Sequence, residues 1–241
     1  MAEYLIQDTT LTEFADSVRS LGVLTTPLTF SEMNTIIRDT VIYEDGIIDG
    51  STEDISNDRI LSVREYAFYK HPTLTEANFS AATSIGNYSF YKCPTVASVN
   101  VPLTTNIGMF AFRGCSALTS ANYPLATAIG QGAFDECKSL TSANLPLLGV
   151  VEPLTFRKCK ALTTLDLPAV TSIGTQAFYD SGLTSLTLRS NTVVTLGSED
   201  AFYFTPIEDG TGYIYVPSNL VDSYKSADGW STYSNQIRAI A

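Results

Sequence analysis

Residues 129–150 read IGQGAFDECKSLTSANLPLLGV, and this pattern recurs along most of the 241-residue chain. Its phenylalanine belongs to a column of six residues spaced 22 apart: Phe68, Phe90, Phe112, Phe134, Phe156 and Phe178. A fixed period of about 20–50 residues is typical of proteins that stack one structural unit repeatedly. The spacing therefore predicts a solenoid in which the six phenylalanines share one continuous core.

Each repeat combines two apolar patterns. Polar and apolar residues alternate over residues 142–145, which predicts a β-strand with one buried face. Pro146 cannot donate a hydrogen bond to a ladder, so it ends that strand. Ile129 and Phe134 predict a turn or a short helix on the opposite wall, and Gly130 marks a bend with little room for a side chain. Stacked repeats would pair their strands into a parallel sheet.

The run IG--AF--C--L---N-P resembles the BspA-like, or Treponema pallidum-type, leucine-rich repeats. The resemblance covers residues 47–240, and five repeats carry most of the motif in register. It implies a curved solenoid that serves binding and adhesion without catalysis. We therefore predict an α/β repeat solenoid of 22-residue leucine-rich repeats with a parallel sheet, a small helical N-terminal module and a strand–helix C-terminal cap.

The sixth repeat departs from the pattern. Ser181 replaces the cysteine of the other repeats, Leu183 arrives one residue early, and Phe202 follows Phe178 by 24 residues. We expect the solenoid to loosen towards its C-terminal end.

The composition of the chain predicts four segments. Residues 1–41 form a helical N-terminal adaptor, residues 42–62 cap the solenoid, residues 63–202 form the solenoid, and residues 203–241 close it. The acidic residues of the cap segment do not follow the regular spacing of a calcium-binding loop, so a cap is favoured over a metal site.

The adaptor contains a capping box at residues 10–13, followed by apolar residues at helical spacing. The runs YLIQDTTLTEFADSV and LTFSEMNTII are similar to short N-terminal modules on structural proteins of phages of gut bacteria. That resemblance implies attachment to other virion proteins through residues 1–41. A generic helical cap explains the same pattern, and assembly into a homo-oligomer is a further option.

The net charge of −11 is distributed unevenly. Residues 1–62 carry 12 acidic and 3 basic side chains, whereas residues 63–241 carry 13 and 11. No basic stripe is available for phosphates, which excludes nucleic acid and disfavours anionic membrane surfaces. No run approaches the roughly 18 apolar residues of a membrane span, so we expect no membrane insertion. The start of the sequence carries an acidic residue where a secretory signal peptide carries positive charge. We therefore expect that the protein either leaves the cell as part of a virion or has an export signal that this sequence lacks.

All four cysteines occupy one column: Cys93, Cys115, Cys137 and Cys159. A disulfide framework would scatter them, and a zinc site would pair them at short spacing. We predict a row of small buried side chains, with bridges between neighbouring coils left open. His71, the only histidine, falls in the same column, so we expect no catalytic site, metal site or cofactor.

Two surfaces are candidate contact sites. Tyr66, Tyr69, Tyr88 and Tyr91 gather outside the core columns of the first two repeats, and tyrosine is favoured in recognition surfaces. The outward strand positions form polar columns that include Ser98, Asn100, Ser120, Asn122, Ser142 and Asn144. These columns are either a platform for carbohydrate or protein, or a ladder in which each amide bonds the next coil; their regularity favours the ladder.

The position after each phenylalanine changes sign between neighbouring repeats. Arg113, Asp135 and Arg157 illustrate the alternation. The pattern predicts exposed ion pairs between coils, each worth at most about 1 kcal/mol.

We predict a non-enzymatic binding module of a phage virion, in its tail, fibre or capsid-associated parts, that recognises a host-surface protein or glycan. One alternative is a bacterial BspA-like adhesin on the cell surface. The other is a purely structural protein that contacts only other virion proteins.

Overall fold

The computed structural model describes residues 54–56, 58 and 60–241. The predicted adaptor, residues 1–41, and most of the predicted N-terminal cap, residues 42–62, lie outside the described residues. Over the described part the chain winds as a parallel solenoid, which confirms the predicted fold.

The front of the solenoid is a column of parallel strands that contain the alternating positions. These strands are β1 (Asp54–Ser56), β2 (Glu76–Asn78), β4 (Ser98–Asn100), β6 (Ser120–Asn122), β8 (Ser142–Asn144), β10 (Thr164–Leu167), β12 (Ser185–Leu188), β14 (Tyr213–Val216) and β15 (Ile237–Ala239). The register follows the repeat, since Ala77 pairs with Val99 and Ala121 pairs with Ala143. In β2, β4 and β6 the middle residue is buried in the core and the flanking residues lie outward.

A second column of two-residue strands forms the back of each coil. It contains β3 (Ser84–Ile85), β5 (Asn106–Ile107), β7 (Ala128–Ile129), β9 (Val150–Val151), β11 (Ser172–Ile173) and β13 (Thr195–Leu196). The second residue of each strand from β3 to β11 is buried, namely Ile85, Ile107, Ile129, Val151 and Ile173. The last of these pairings, β11 with β13, spans 23 residues, and the front pairing of β10 with β12 spans 21.

Six-residue turn segments follow the back strands, and we call them together the turn wall. The turn wall consists of residues 65–70, 87–92, 109–114, 131–136, 153–158 and 175–180. Successive backbone N–H groups of a segment donate alternately to a carbonyl of the same segment and to a carbonyl of the next coil. The Tyr69 N–H donates to the Tyr66 carbonyl, for example, and the Phe68 N–H donates to the Ser89 carbonyl. The sequence predicted either a turn or a short helix on this wall, and the structure has turns.

Helix is scarce in the described residues. The α-helix α1 (Val221–Ser226) lies in the C-terminal segment, with short 3-10 helices at Glu199–Phe202, Ser218–Leu220 and Trp230–Tyr233. The helical part of the predicted α/β class is therefore small in this portion of the chain.

The phenylalanine rings form a continuous stack along the axis. Successive centroids lie 4.9–5.7 Å apart from Phe68 to Phe178, and interplanar angles do not exceed 14°. Phe202 continues the stack at 5.4 Å despite its longer spacing in sequence. Burying each ring contributes about 1.5–3 kcal/mol, so the stack is a major part of the core.

The C-terminal segment covers the last ring of the stack. Trp230 and Tyr233 are buried and contact Phe202 at centroid distances of 6.0 and 5.2 Å. The Trp230 Nε1–H donates to the Val194 carbonyl at 2.7 Å, and the Val194 N–H donates to the Tyr224 hydroxyl at 3.0 Å. Both backbone groups of Val194 are therefore satisfied by this segment, as buried polar groups require.

Gly108 illustrates how closely the backbones of neighbouring coils approach. A Cβ at this position would lie 2.4 Å from the Asn87 nitrogen, and Gly86 and Gly130 have equivalent contacts at 2.4 and 2.5 Å. The obstacle is backbone, so it cannot rotate away. The bend with little room that the sequence predicts at Gly130 is confirmed, and steric contact is its physical reason.

We expect Gly108→Ala to destabilise the protein by at least about 2 kcal/mol, because overpacking against backbone forces the coils apart. The measurement is the urea midpoint of unfolding. Gly149→Ala is the matched control, since a Cβ there meets nothing within 4 Å. Equal midpoints for the two variants would contradict the steric explanation.

Candidate recognition surface

Four tyrosines gather at the N-terminal end of the turn wall. Tyr66 stacks on Tyr88 at 5.2 Å and Tyr69 stacks on Tyr91 at 5.1 Å, with both pairs within 6° of parallel. Edge contacts at 5.5 and 5.7 Å join the two pairs across each coil. Tyr66 and Tyr69 remain 48% and 41% exposed, so the group forms a surface feature.

The patch extends further than the four predicted residues. Phe110 contacts Tyr88 at 5.6 Å, and the Tyr88 hydroxyl lies 3.7 Å from the Met109 sulfur. The sequence carried the signal for Phe110, because it follows Tyr88 by 22 residues. We call Tyr66, Tyr69, Tyr88, Tyr91, Met109 and Phe110 the aromatic patch.

The backbone of the turn wall sets where the patch begins and ends. Tyr66, Tyr88 and Phe110 occupy one column of left-handed residues, with φ of 60°, 54° and 52°. Gly132 is the next residue of that column, and the Phe110 ring lies where a Cβ at Gly132 would be, at 2.2 Å. The missing side chain at Gly132 therefore seats the last ring of the patch.

Stacking determines which parts of the rings face solvent. Two parallel rings about 5 Å apart each cover one face of the other, which leaves the edges, the hydroxyl groups and the outer faces for a partner. Edges and hydroxyls suit irregular protein surfaces, where tyrosine supplies rigid contact area with a polar tip. A sugar ring, in contrast, needs an open aromatic face on which to stack.

Cationic side chains line the aromatic patch. The Lys70 ammonium lies 5.0 Å from the Tyr69 centroid, and that of Lys92 lies 5.5 Å from Tyr91. The Arg113 guanidinium lies 5.8 Å from Tyr91 and 5.4 Å from Phe110. These distances fall within the range of cation–π attraction.

The middle of the turn wall holds a buried charge. The Asp135 side chain is completely inaccessible, contrary to the expectation of an exposed pair. Arg157 donates to both of its carboxylate oxygens, at 2.9 and 2.7 Å, and Arg113 approaches at 3.0 Å. Two arginines from neighbouring coils thus compensate one buried carboxylate, the arrangement that makes such burial tolerable.

Glu136 extends this charge cluster to the surface. It pairs with Lys158 at 3.4 Å and lies 3.9 and 4.0 Å from Arg113 and Arg157. Burial opposes ionisation of Glu136. The Lys158 hydrogen bond and the three positive charges outweigh burial, so the pKa of Glu136 lies below its ordinary value.

The asparagines of the front sheet hydrogen-bond in pairs along their column. The Asn100 amide donates to Asn78 at 2.8 Å, and Asn144 donates to Asn122 at the same distance. These bonds are those of the ladder interpretation, and they occupy amide groups that a carbohydrate would otherwise use. Ser98, Ser120 and Ser142 lie beside them on the same face, and a shallow depression of about 370 Å³ lies at its N-terminal end, around Glu76 and Asn78.

The cysteine column faces the interior. The thiols of Cys93, Cys115, Cys137 and Cys159 are all buried and free, and each donates to a phenylalanine carbonyl of the preceding coil at 2.9–3.2 Å. Burial raises the pKa of the Cys115, Cys137 and Cys159 thiols, which makes them poor nucleophiles. His71 is buried in the same column, where its Nδ1 accepts the Leu74 N–H at 3.0 Å.

The sequence from residue 61 to residue 226 matches the BspA type leucine-rich repeat region in two overlapping segments, residues 61–152 and 127–226. This match covers more than half of the chain. The chain belongs to the BspA-type leucine-rich repeat family. No curated protein matches it in sequence.

A solved structure shares the fold of this BspA-type chain. A leucine-rich cell surface protein from Faecalibacterium prausnitzii is 24% identical, with a TM-score of 0.62 over 70% of this chain and 48% of that protein. The leucine-rich repeat protein of T. pallidum is 20% identical, with a TM-score of 0.42 over 53% of this chain and 76% of that one. The BspA-type chain thus spans about half the length of the F. prausnitzii protein.

Two further properties of the described residues bear on the class of site. No helix among them has the length and apolar content needed to cross a membrane. Over the same residues, histidine, cysteine and acidic side chains form no group of three that could hold a metal ion.

We expect the contribution of Glu136 to stability to depend on pH. Its pKa is lowered on folding, so the stabilisation is complete above the unfolded value of about 4.3 and is lost as pH falls through the folded value. The stability advantage of the wild type over Glu136→Gln should be constant above about pH 5 and shrink below about pH 4. Urea midpoints across this range provide the measurement.

Glu76→Gln is the control for this titration. It removes an exposed carboxylate that makes no ion pair within residues 60–241, and so reports the general loss of a negative charge. An advantage of the wild type over Glu136→Gln that grows on acidification would contradict the assigned sign.

Proposed function

We propose that this protein is a non-enzymatic binding module that recognises a partner macromolecule through the aromatic patch. The observation that carries the proposal is the exposed stack of tyrosines, which the core does not need. Large exposed apolar groups cost solubility, and on soluble proteins contiguous patches of them mark interaction sites.

The family and the side-chain chemistry support a binding role over catalysis. A solenoid presents extended surfaces, and repeat proteins use those surfaces to bind. The potential nucleophiles, the cysteines, are buried, and for three of them burial raises the pKa. The buried carboxylate of Asp135 is held by two arginines, which suits a structural role better than proton transfer.

We propose a host-surface protein as the partner, in preference to a glycan. One face of each ring in the two tyrosine pairs is covered by its partner, and the asparagines of the front sheet hydrogen-bond in pairs along their column. Both candidate surfaces therefore offer less to a sugar than the sequence suggested, whereas hydroxyl groups and ring edges suit a protein.

The test is retention of the purified full chain on intact bacterial and epithelial cells and on their isolated surface proteins. We expect Tyr69→Ser combined with Tyr91→Ser to weaken binding at least about tenfold, as loss of central aromatic contacts does in other interfaces. Neither ring belongs to the buried core, so the fold should survive.

The matched control is Tyr213→Ser combined with Tyr215→Ser. These tyrosines are also partly exposed and neighbouring, but they lie on the front sheet at the other end of the solenoid. The proposal fails if the patch variant binds like the wild type, or if both variants lose binding equally. Binding only to glycans released from these cells would replace the protein partner by a carbohydrate.

We further propose that the module is displayed on a surface, either of a phage virion through residues 1–41 or of a bacterial cell. The resemblance of the N-terminal runs supports the virion, and membership of the BspA-type family supports the cell surface at least as well. An antibody against residues 203–241 should label intact particles or intact cells, which distinguishes the two carriers. Label confined to lysed cells would contradict both, and a virion protein that binds no cell would be purely structural.

A further inference from the structure

Two lysines beside the aromatic patch lack a carboxylate partner. Lys70 and Lys92 are exposed, and neither makes an ion pair within the described residues 60–241. Lys158 occupies the same column three coils later and pairs with Glu136 at 3.4 Å. In this column, the lysine in the middle of the solenoid is therefore paired with a carboxylate, whereas the two lysines beside the tyrosines are not.

Gly114 separates the two groups of charges. It occupies the column position between Lys92 and Glu136, and it adds no charge. Glu136 thus lies two coils from Lys92, or about 10 Å at the usual strand spacing. Over that distance at physiological salt, exposed charges interact only weakly.

The patch is locally positive on an acidic protein. The first two turn segments, residues 65–70 and 87–92, contain Lys70 and Lys92 against a single acid, Glu65, whereas Arg113 of the third segment is paired with the buried Asp135. The whole chain has a net charge of −11. A positive region on a negative molecule attracts a ligand with local negative charge and orients it during approach.

We propose that the aromatic patch and the two lysines beside it, Lys70 and Lys92, bind an acidic segment of a partner protein, one that interleaves carboxylates with apolar side chains. This inference rests on the proposed function and names the chemistry of its partner. Carboxylates would pair with Lys70 and Lys92, and apolar side chains would pack against the tyrosine edges and Met109. The covered ring faces keep the tyrosines rigid, so little side-chain entropy is lost on binding.

A long polyanion fits this surface less well than a short acidic segment. The two lysines lie on neighbouring coils, roughly 5 Å apart along the axis. A sulfated glycan or nucleic acid would extend beyond them over a surface of net negative charge, where repulsion opposes binding. A peptide segment places its carboxylates only where the cations lie.

The test uses the full chain and three fluorescein-labelled peptides of equal length. In all three peptides every third residue is leucine. The remaining positions are all glutamate in the first peptide, all glutamine in the second and all lysine in the third. Fluorescence anisotropy should show the glutamate peptide binding at least about tenfold more tightly than the glutamine peptide at low salt, with the difference shrinking as salt rises. The lysine peptide should bind weakest.

Charge-reversal variants locate the interaction. Lys70→Glu combined with Lys92→Glu should abolish the preference for the glutamate peptide. Lys225→Glu, an exposed lysine of α1 in the C-terminal cap, is the matched control and should leave the preference intact. Circular dichroism checks that both variants remain folded.

The outcomes separate this inference from the proposed function. Equal affinity for the three peptides, or an equal loss of preference in both variants, overturns the acidic partner. Patch-dependent binding of heparin without binding of the glutamate peptide replaces it by a polyanionic glycan. If Tyr69→Ser with Tyr91→Ser loses cell binding while the lysine reversals retain it, the proposed function stands and the acidic partner is wrong.

Discussion

Neighbouring phenylalanine rings lie 4.9–5.7 Å apart, close to the spacing of about 4.8 Å between strands of a sheet. The backbone can reach that spacing only where nothing stands between the coils, and glycines such as Gly86 and Gly108 keep the gap open. Ring stacking and the close approach of the backbones favour the same distance, because the glycines permit the separation at which the rings stack. The strand columns, the turn wall and the cysteine row all depend on this one separation.

The same separation acts on the surface. Any side chain repeated every 22 residues comes to lie beside its own copy, so tyrosines stack, asparagines bond in a ladder and opposite charges pair. Most of these columns are stabilising contacts within the molecule. The aromatic patch differs because its column of aromatic rings ends at Gly132 and because the lysines beside it make no ion pair among the described residues. An interruption of the periodicity, more than the periodicity itself, distinguishes the proposed contact surface from the structural columns.

The sequence was sufficient for features that repeat. The phenylalanine column and the front strands follow from periodicity, since identical spacing places identical residues in identical environments, and the resemblance of the repeat motif pointed to the BspA-type family. The burial of individual side chains was harder to predict, as Asp135 shows. Its alternation with Arg113 and Arg157 predicts the ion pairs but does not predict that the carboxylate is buried. Phe110 was missed because it aligns with Tyr88 outside the core columns. The adaptor assigned to residues 1–41 stays a prediction, because a single short motif has no repeat against which to compare it.

The sixth coil shows how the fold tolerates irregular length. Residue 166 of the front strand pairs with residue 187 in the next coil, and residue 172 of the back strand pairs with residue 195. The connection from front to back strand therefore advances six residues in one coil and eight in the next, which has two additional residues there. The ring stack nevertheless passes unbroken from Phe178 to Phe202. The junction around residues 189–193 therefore absorbs extra chain without altering the interior. A foreign epitope or affinity tag grafted at this junction would be presented outward, which makes the protein a scaffold with a built-in insertion point.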